Sequence, residues 1–175
     1  MKSPLLFSLC LLCLHFAFAN NGIDPNKKSV KAISTQTPPA IDGVLDDPAW
    51  LNALPANDFI QNRPSPGIPA AAVSDVKILY DDQGIYIGAM LYDSKPDSIQ
   101  KELSERDNLA NTDWFGIIID AYRDGINGFG FIVTASNVQF DTKYSTFGED
   151  SGWDAVWESK VNINSEGWVV EMMIP

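Results

Sequence analysis

Five tryptophans in a chain of 175 residues are the side chains best suited to hold a ligand, because the weakly polar face of a sugar ring stacks on an indole much as other apolar faces do. Their positions separate them. Trp50 stands with Leu51 and Leu54 in a short helical segment. By the period of two, Trp157 shares a strand face with Val161 and Ile163, and Trp168 shares one with Val170, Met172 and Ile174. These three belong in a core. Trp114 and Trp153 instead follow polar stretches, Asn111-Thr112-Asp113 and Asp150-Ser151-Gly152, and loop ends on a rigid sheet are where binding residues collect. Each could serve binding or edge packing. Facing each other across a cleft, they would sandwich one sugar ring, with Arg106, Asp107, Asn108, Gln139 and Asp141 bonding its hydroxyls. Planar guanidinium and amide groups suit that fixed bidentate geometry.

The carboxylates admit three readings. Asp42, Asp46, Asp47, Asp81, Asp82, Asp93 and Asp124 fall mostly at turn positions, where aspartate bonds its own backbone. The same oxygens could hold a structural calcium ion, although no segment matches an EF-hand loop. The third reading is a pair of catalytic carboxylates of the glycosidase kind, for which spacing along the chain gives no support.

Other chemistry is removed by the first nineteen residues. Lys2 precedes an apolar run from Leu5 to Phe18 that closes on Ala17-Phe18-Ala19, the pattern of a secretory signal peptide cut after Ala19. The run is short for a membrane span, and no later stretch approaches one. The expected product is exported to the periplasm, the cell surface or the extracellular space. Cys10, Cys13 and His15, the only cysteines and histidine, leave with the leader. A Ser-His-Asp or Cys-His nucleophile, a Cys/His zinc site and a disulfide are then unavailable. Neither cysteine follows the small residue of a lipoprotein cleavage site, which leaves lipid anchoring the weaker reading.

The full chain carries 12 basic and 23 acidic residues, a net charge of −11, and loses one more cation with Lys2. Such a surface repels nucleic acid and anionic lipid, whose binding is driven by cationic contacts to phosphate. Neutral molecules and cations are the fitting partners. The charge also serves solubility, whatever the function.

Positioning these residues requires strands. Residues 20–36 are polar and aperiodic and read as a linker or flexible arm, with one domain over 37–175. Asp46-Asp47-Pro48 starts a short helix expected to run to about Leu54. Pro55 to Ala72 reads as a long loop. Val76, Ile78 and Tyr80, then Asp81-Asp82-Gln83-Gly84, then Ile85, Ile87, Ala89 and Leu91 make a hairpin. Ser94 to Leu103 reads as a helix opened by Pro96. Further strands are expected around Phe115–Ile119, Phe129–Val133, Val138–Tyr144, Val156–Ile163 and Trp168–Ile174. Short strands at regular turn intervals predict an all-β antiparallel sandwich of immunoglobulin-like or jelly-roll type.

The stretch Ile41-Asp42-Gly43-Val44-Leu45-Asp46-Asp47-Pro48-Ala49-Trp50 resembles the opening of carbohydrate-binding module family 9 domains. The likeness continues through residues 76–89, Asp113-Trp114-Phe115-Gly116-Ile117-Ile118-Ile119-Asp120 and residues 168–175. Glu105-Arg106-Asp107, Gly128-Phe129-Gly130-Phe131, Val138-Gln139-Phe140-Asp141 and residues 153–158 are similar to the variant that heads large bacterial surface proteins of unassigned function. The resemblance implies a β-sandwich, sugar binding between two tryptophans, structural calcium, and further sheet residues beyond Pro175. Haem binding, which also occurs in the wider superfamily, ranks low without a mature histidine. The expected function is a non-catalytic carbohydrate-binding module, serving carbohydrate breakdown if a glycoside hydrolase follows. Its competitor is a structural or sensory N-terminal domain ahead of an outer-membrane barrel or similar cell-surface body; an enzyme ranks third.

Overall fold

The computed structural model describes residues 28–175. The signal peptide and residues 20–27 of the expected arm lie outside that range. Nine strands form: β1 (Ile33–Ser34), β2 (Ser74–Tyr80), β3 (Ile85–Tyr92), β4 (Trp114–Ile119), β5 (Gly128–Thr134), β6 (Gln139–Ser145), β7 (Gly148–Asp150), β8 (Glu158–Asn164) and β9 (Gly167–Ile174). They make a five-stranded sheet in the order β1-β2-β3-β9-β8 and a four-stranded sheet in the order β4-β5-β6-β7. All pairings are antiparallel except β1 with β2. The chain is a β-sandwich, as its alternation predicts. No helix among the described residues is long and apolar enough to cross a membrane.

The core between the sheets collects the inward faces of the central strands: Val76, Ile87, Ala89, Val170, Met172 and Ile174 from one side, Phe131 and Val133 from the other, with Trp157 and Trp168. Trp157 and Trp168 are buried, as the period of two requires. A second, smaller core lies on the outer face of the five-stranded sheet, where Trp50, Ala53, Leu79 and Tyr86 pack together. Gly88 allows this docking, since a Cβ there would stand 2.7 Å from Leu45 and 3.0 Å from the Trp50 ring. Beneath that ring Glu171, fully buried, accepts the indole N–H of Trp50 at 3.0 Å and the backbone N–H groups of Asp42 and Gly43 at 3.0 and 2.8 Å. A lone carboxylate in the apolar run of β9 thereby fastens the first turns of the domain to the sheet.

Three expectations need correction. Pro48–Asn52 is a 3₁₀ turn, not an α-helix, and Asp47 does not cap it. The Asp47 carboxylate accepts the backbone N–H of Ala40 instead. The helix expected over 94–103 is a single 3₁₀ turn, Pro96–Ser98, because Gln100 and Asp113 exchange backbone and carboxylate bonds that hold the chain extended. Ile33–Ser34, within the expected arm, adds a short strand to β2.

Candidate functional site

Arg106, Gln139 and Asp141 come together at the start of β6. The strand's edge there is free of β7, which pairs only from Lys143 to Ser145, and the 104–108 loop takes its place. Asp107 donates its N–H to the Gln139 carbonyl at 3.0 Å, and its carboxylate accepts the Asp141 N–H at 3.3 Å. Arg106 then lies across the edge, donating to Gln139 Oε1, to Asp141 Oδ1 and, at 3.0 Å, to the Ala155 carbonyl. Asp141 is fully buried, and it also accepts the Ala155 N–H and, at 3.2 Å, the indole N–H of Trp157. The Gln139 amide donates at 3.1 Å both to the Trp157 carbonyl and to Ser159 Oγ, which in turn donates to Asn137 Oδ1 at 3.2 Å.

This network ties the four-stranded sheet to β8 and closes one side of the sandwich. Arg106 and Gln139 therefore spend most of their hydrogen bonds on the protein, and Asp141 has no face open to a ligand. What remains open is a polar groove of about 410 Å3 above them, lined by Ser104, Arg106, Asn137, Val138, Gln139 and Ser159. Arg106 is 40% exposed there, leaving guanidinium edge for hydroxyls. Asn137, Ser104 and Ser159 were not singled out in the sequence; the signal at Asn137 is an asparagine in a turn, where it takes φ 60°.

The tryptophans fall apart from one another. Trp114 opens β4, is 54% exposed and points outward, since its neighbours Phe115, Ile117 and Ile119 face the core. Trp153 lies in the irregular segment between β7 and β8 rather than at the start of a strand; it packs on the inward rings of Phe129 and Phe131 at centroid distances of 5.0 and 6.0 Å. The register sets Trp114 opposite Thr134 and Ile119 opposite Phe129. At about 3.4 Å per residue the two indoles sit near opposite ends of a ladder about 17 Å long. They cannot clamp one ring between them. Trp114 shares its end of the sheet with the polar groove, because Thr134 bonds Val138 at the β5–β6 turn and β4 and β6 flank β5 about 10 Å apart. It stands on the outer face, however, whereas Gln139 and Asp141, in register with the core residues Val133 and Phe131, face inward.

The turn aspartates bond their own backbone. Asp42, Asp81, Asp93 and Asp124 each accept an N–H two residues ahead. At Asp124 the Asn127 backbone and side-chain amides and the Ile126 N–H hold the carboxyl below its ordinary range. No group of three or more acidic side chains that could hold a metal comes together among the described residues.

The family described as "Carbohydrate family 9 binding domain-like" matches residues 41–175. Among solved structures, a carbohydrate-binding module family 9 protein from Caldicellulosiruptor kristjanssonii in complex with cellotriose is similar at 20% identity and TM-score 0.60. The match covers 82% of this chain and 66% of that one. A glucose complex of such a module from the same organism is similar at 20% identity and TM-score 0.55, covering 81% and 66%. The chain thus spans just under two thirds of these neighbours, and likeness at this identity speaks for the fold. No curated protein matches significantly.

Proposed function

We propose that this chain, which belongs to the carbohydrate family 9 binding domain-like family, is a non-catalytic module of an exported protein that binds oligo- or polysaccharide by stacking on tryptophan. The observation that carries the reading is an exposed indole, Trp114, on the outer face at the same end of the four-stranded sheet as a polar groove along the β6 edge. A sugar ring lies against Trp114, and an oligosaccharide that rounds the β5–β6 end of the sheet directs hydroxyls of a further ring to Arg106, Asn137 and the Ser104 and Ser159 hydroxyls. Gln139 and Asp141 act behind them by fixing the guanidinium. The solved relatives were seen with cellotriose and glucose, which makes β-linked glucan oligosaccharides the first ligands to try. Export rests on the leader pattern of residues 1–19.

Stacking of one ring contributes about 1 kcal/mol, close to fivefold in affinity. Titration calorimetry with soluble glucan oligosaccharides tests the reading: weak saturable binding is expected, reduced about fivefold or more in Trp114→Ala.

A second reading has its own observation. An apolar groove of about 390 Å3 opens between the sheets, lined by Ile85, Ile119, Phe129, Phe131, Trp153 and Ile174 among others. It suits contact with further polypeptide, as a structural or sensory domain of a larger cell-surface protein would make. Absence of any saturable sugar binding by the folded native chain favours that reading.

A further inference from the structure

The outer face of the five-stranded sheet carries a groove of about 390 Å3, on the opposite face of the sandwich from Trp114. Its floor is one cross-strand row in register: Asp75 beside Met90, Met90 beside Val169, Val169 beside Asn162. An acid and an amide thus flank two apolar side chains that are both buried. Tyr92 extends this floor, with its phenol donating to Asp75 at 3.5 Å, and Glu166 and Asp46 stand on the rim. Lys77 also lines the groove and keeps its charge, its ammonium donating to the Trp50 carbonyl at 3.0 Å. The groove therefore combines an aromatic and aliphatic floor with three carboxylates, Asp46, Asp75 and Glu166, against the single cation, Lys77, of its lining. Burial, and then the charges of Asp75 and Glu166, hold the Tyr92 phenol above its ordinary pKa.

We propose that this groove binds a primary ammonium group carried on a compact, partly apolar body, the chemistry of a glucosamine-type amino sugar in a glycan. An ammonium gains from carboxylates and from the face of an aromatic ring together, while the C–H face of the sugar covers Met90 and Val169 and the Asn162 amide reaches a hydroxyl. Acetylation of the nitrogen removes the charge and with it the preference. The site is additional to the one at Trp114. It rests on the carbohydrate-binding reading only for the choice of an amino sugar over a lysine side chain.

Calorimetry with a glucosamine oligosaccharide at low and high salt tests this, beside its N-acetylated counterpart, a neutral glucan oligosaccharide and a lysine-bearing peptide. The free-amine sugar is expected to bind, to weaken with salt, and to lose about tenfold in affinity in an Asp75→Asn/Glu166→Gln variant that keeps its near-ultraviolet circular dichroism. Trp114→Ala should leave this binding unchanged while it reduces that of neutral glucan. Equal binding of the free and acetylated sugars, or an unchanged affinity in the double variant, overturns the proposal. So does a lysine peptide that binds more tightly than the amino sugar. Binding of the amino sugar without any of neutral glucan sinks the Trp114 site and leaves this one standing.

Discussion

Replacing Asp141 by alanine removes the acceptor on which one side of the sandwich converges. Three donors lose it: the buried indole N–H of Trp157, the Ala155 N–H and the Arg106 guanidinium. Leaving a buried neutral donor unsatisfied costs about 1–3 kcal/mol. Breaking a fully buried ion pair costs about 3–5 kcal/mol, but Arg106 is 40% exposed and can turn to water, so its share is discounted to below about 1 kcal/mol. The expected destabilisation is about 3–5 kcal/mol, carried mainly by the two neutral donors. Urea denaturation followed by tryptophan fluorescence measures it, and Arg106→Ala should cost far less. Comparison with an Arg106→Ala/Asp141→Ala variant isolates the pair term, expected below about 1 kcal/mol. A loss under about 1 kcal/mol for Asp141→Ala would show that water enters and replaces the carboxylate, and the closure assigned to this network would be wrong.

Trp157→Ala and Trp168→Ala should each cost about 3–5 kcal/mol by denaturant melts, as core truncations do, against less than about 1 kcal/mol for the exposed Trp114→Ala. Burial holds the Glu171 carboxyl above its ordinary range despite the N–H groups of Gly43, Asp42 and Trp50. The fold therefore takes up this proton more readily than the unfolded chain. The group's contribution to stability is full below the ordinary carboxylate pKa and falls as pH rises through the raised value. The stability of the native chain relative to Glu171→Gln should then grow on acidification through that window; a gap that shrinks would reverse the assignment. A structural calcium ion of the kind the family resemblance implies should raise the thermal midpoint relative to chelator, since a cation held only by the fold stabilises it by mass action; identical midpoints would remove that expectation.

Much of the sandwich was legible because its strands obey a simple period. Trp168, Val170, Met172 and Ile174 alternate along β9 and all reach the core, and Asp81 closes the β2–β3 turn on Gln83 and Gly84 as turn chemistry dictates. β7 was not legible: Gly148–Asp150 is exposed at every residue and shows no alternation to read. The helix expected after Pro96 failed because its bonds are made with Asp113, a partner thirteen residues away from Gln100. At the site, residue type brought Arg106, Gln139 and Asp141 to notice, and they do meet. Their bonding to one another rather than to an open cleft depends on the 104–108 loop replacing a strand. The separation of Trp114 from Trp153 depends on the β4–β5 register, which no local pattern encodes. Glu171 offered a signal that was passed over, a single charge in an otherwise apolar strand that had to find donors.

The most direct test of glycan binding at the Trp114 end is a titration of soluble β-glucan oligosaccharides into the native chain and Trp114→Ala, read by calorimetry and tryptophan fluorescence. Weak saturable binding to the native chain, lowered about fivefold or more in the variant, is the expected result. Absence of heat and of any fluorescence change up to millimolar sugar, with both proteins folded, would contradict it.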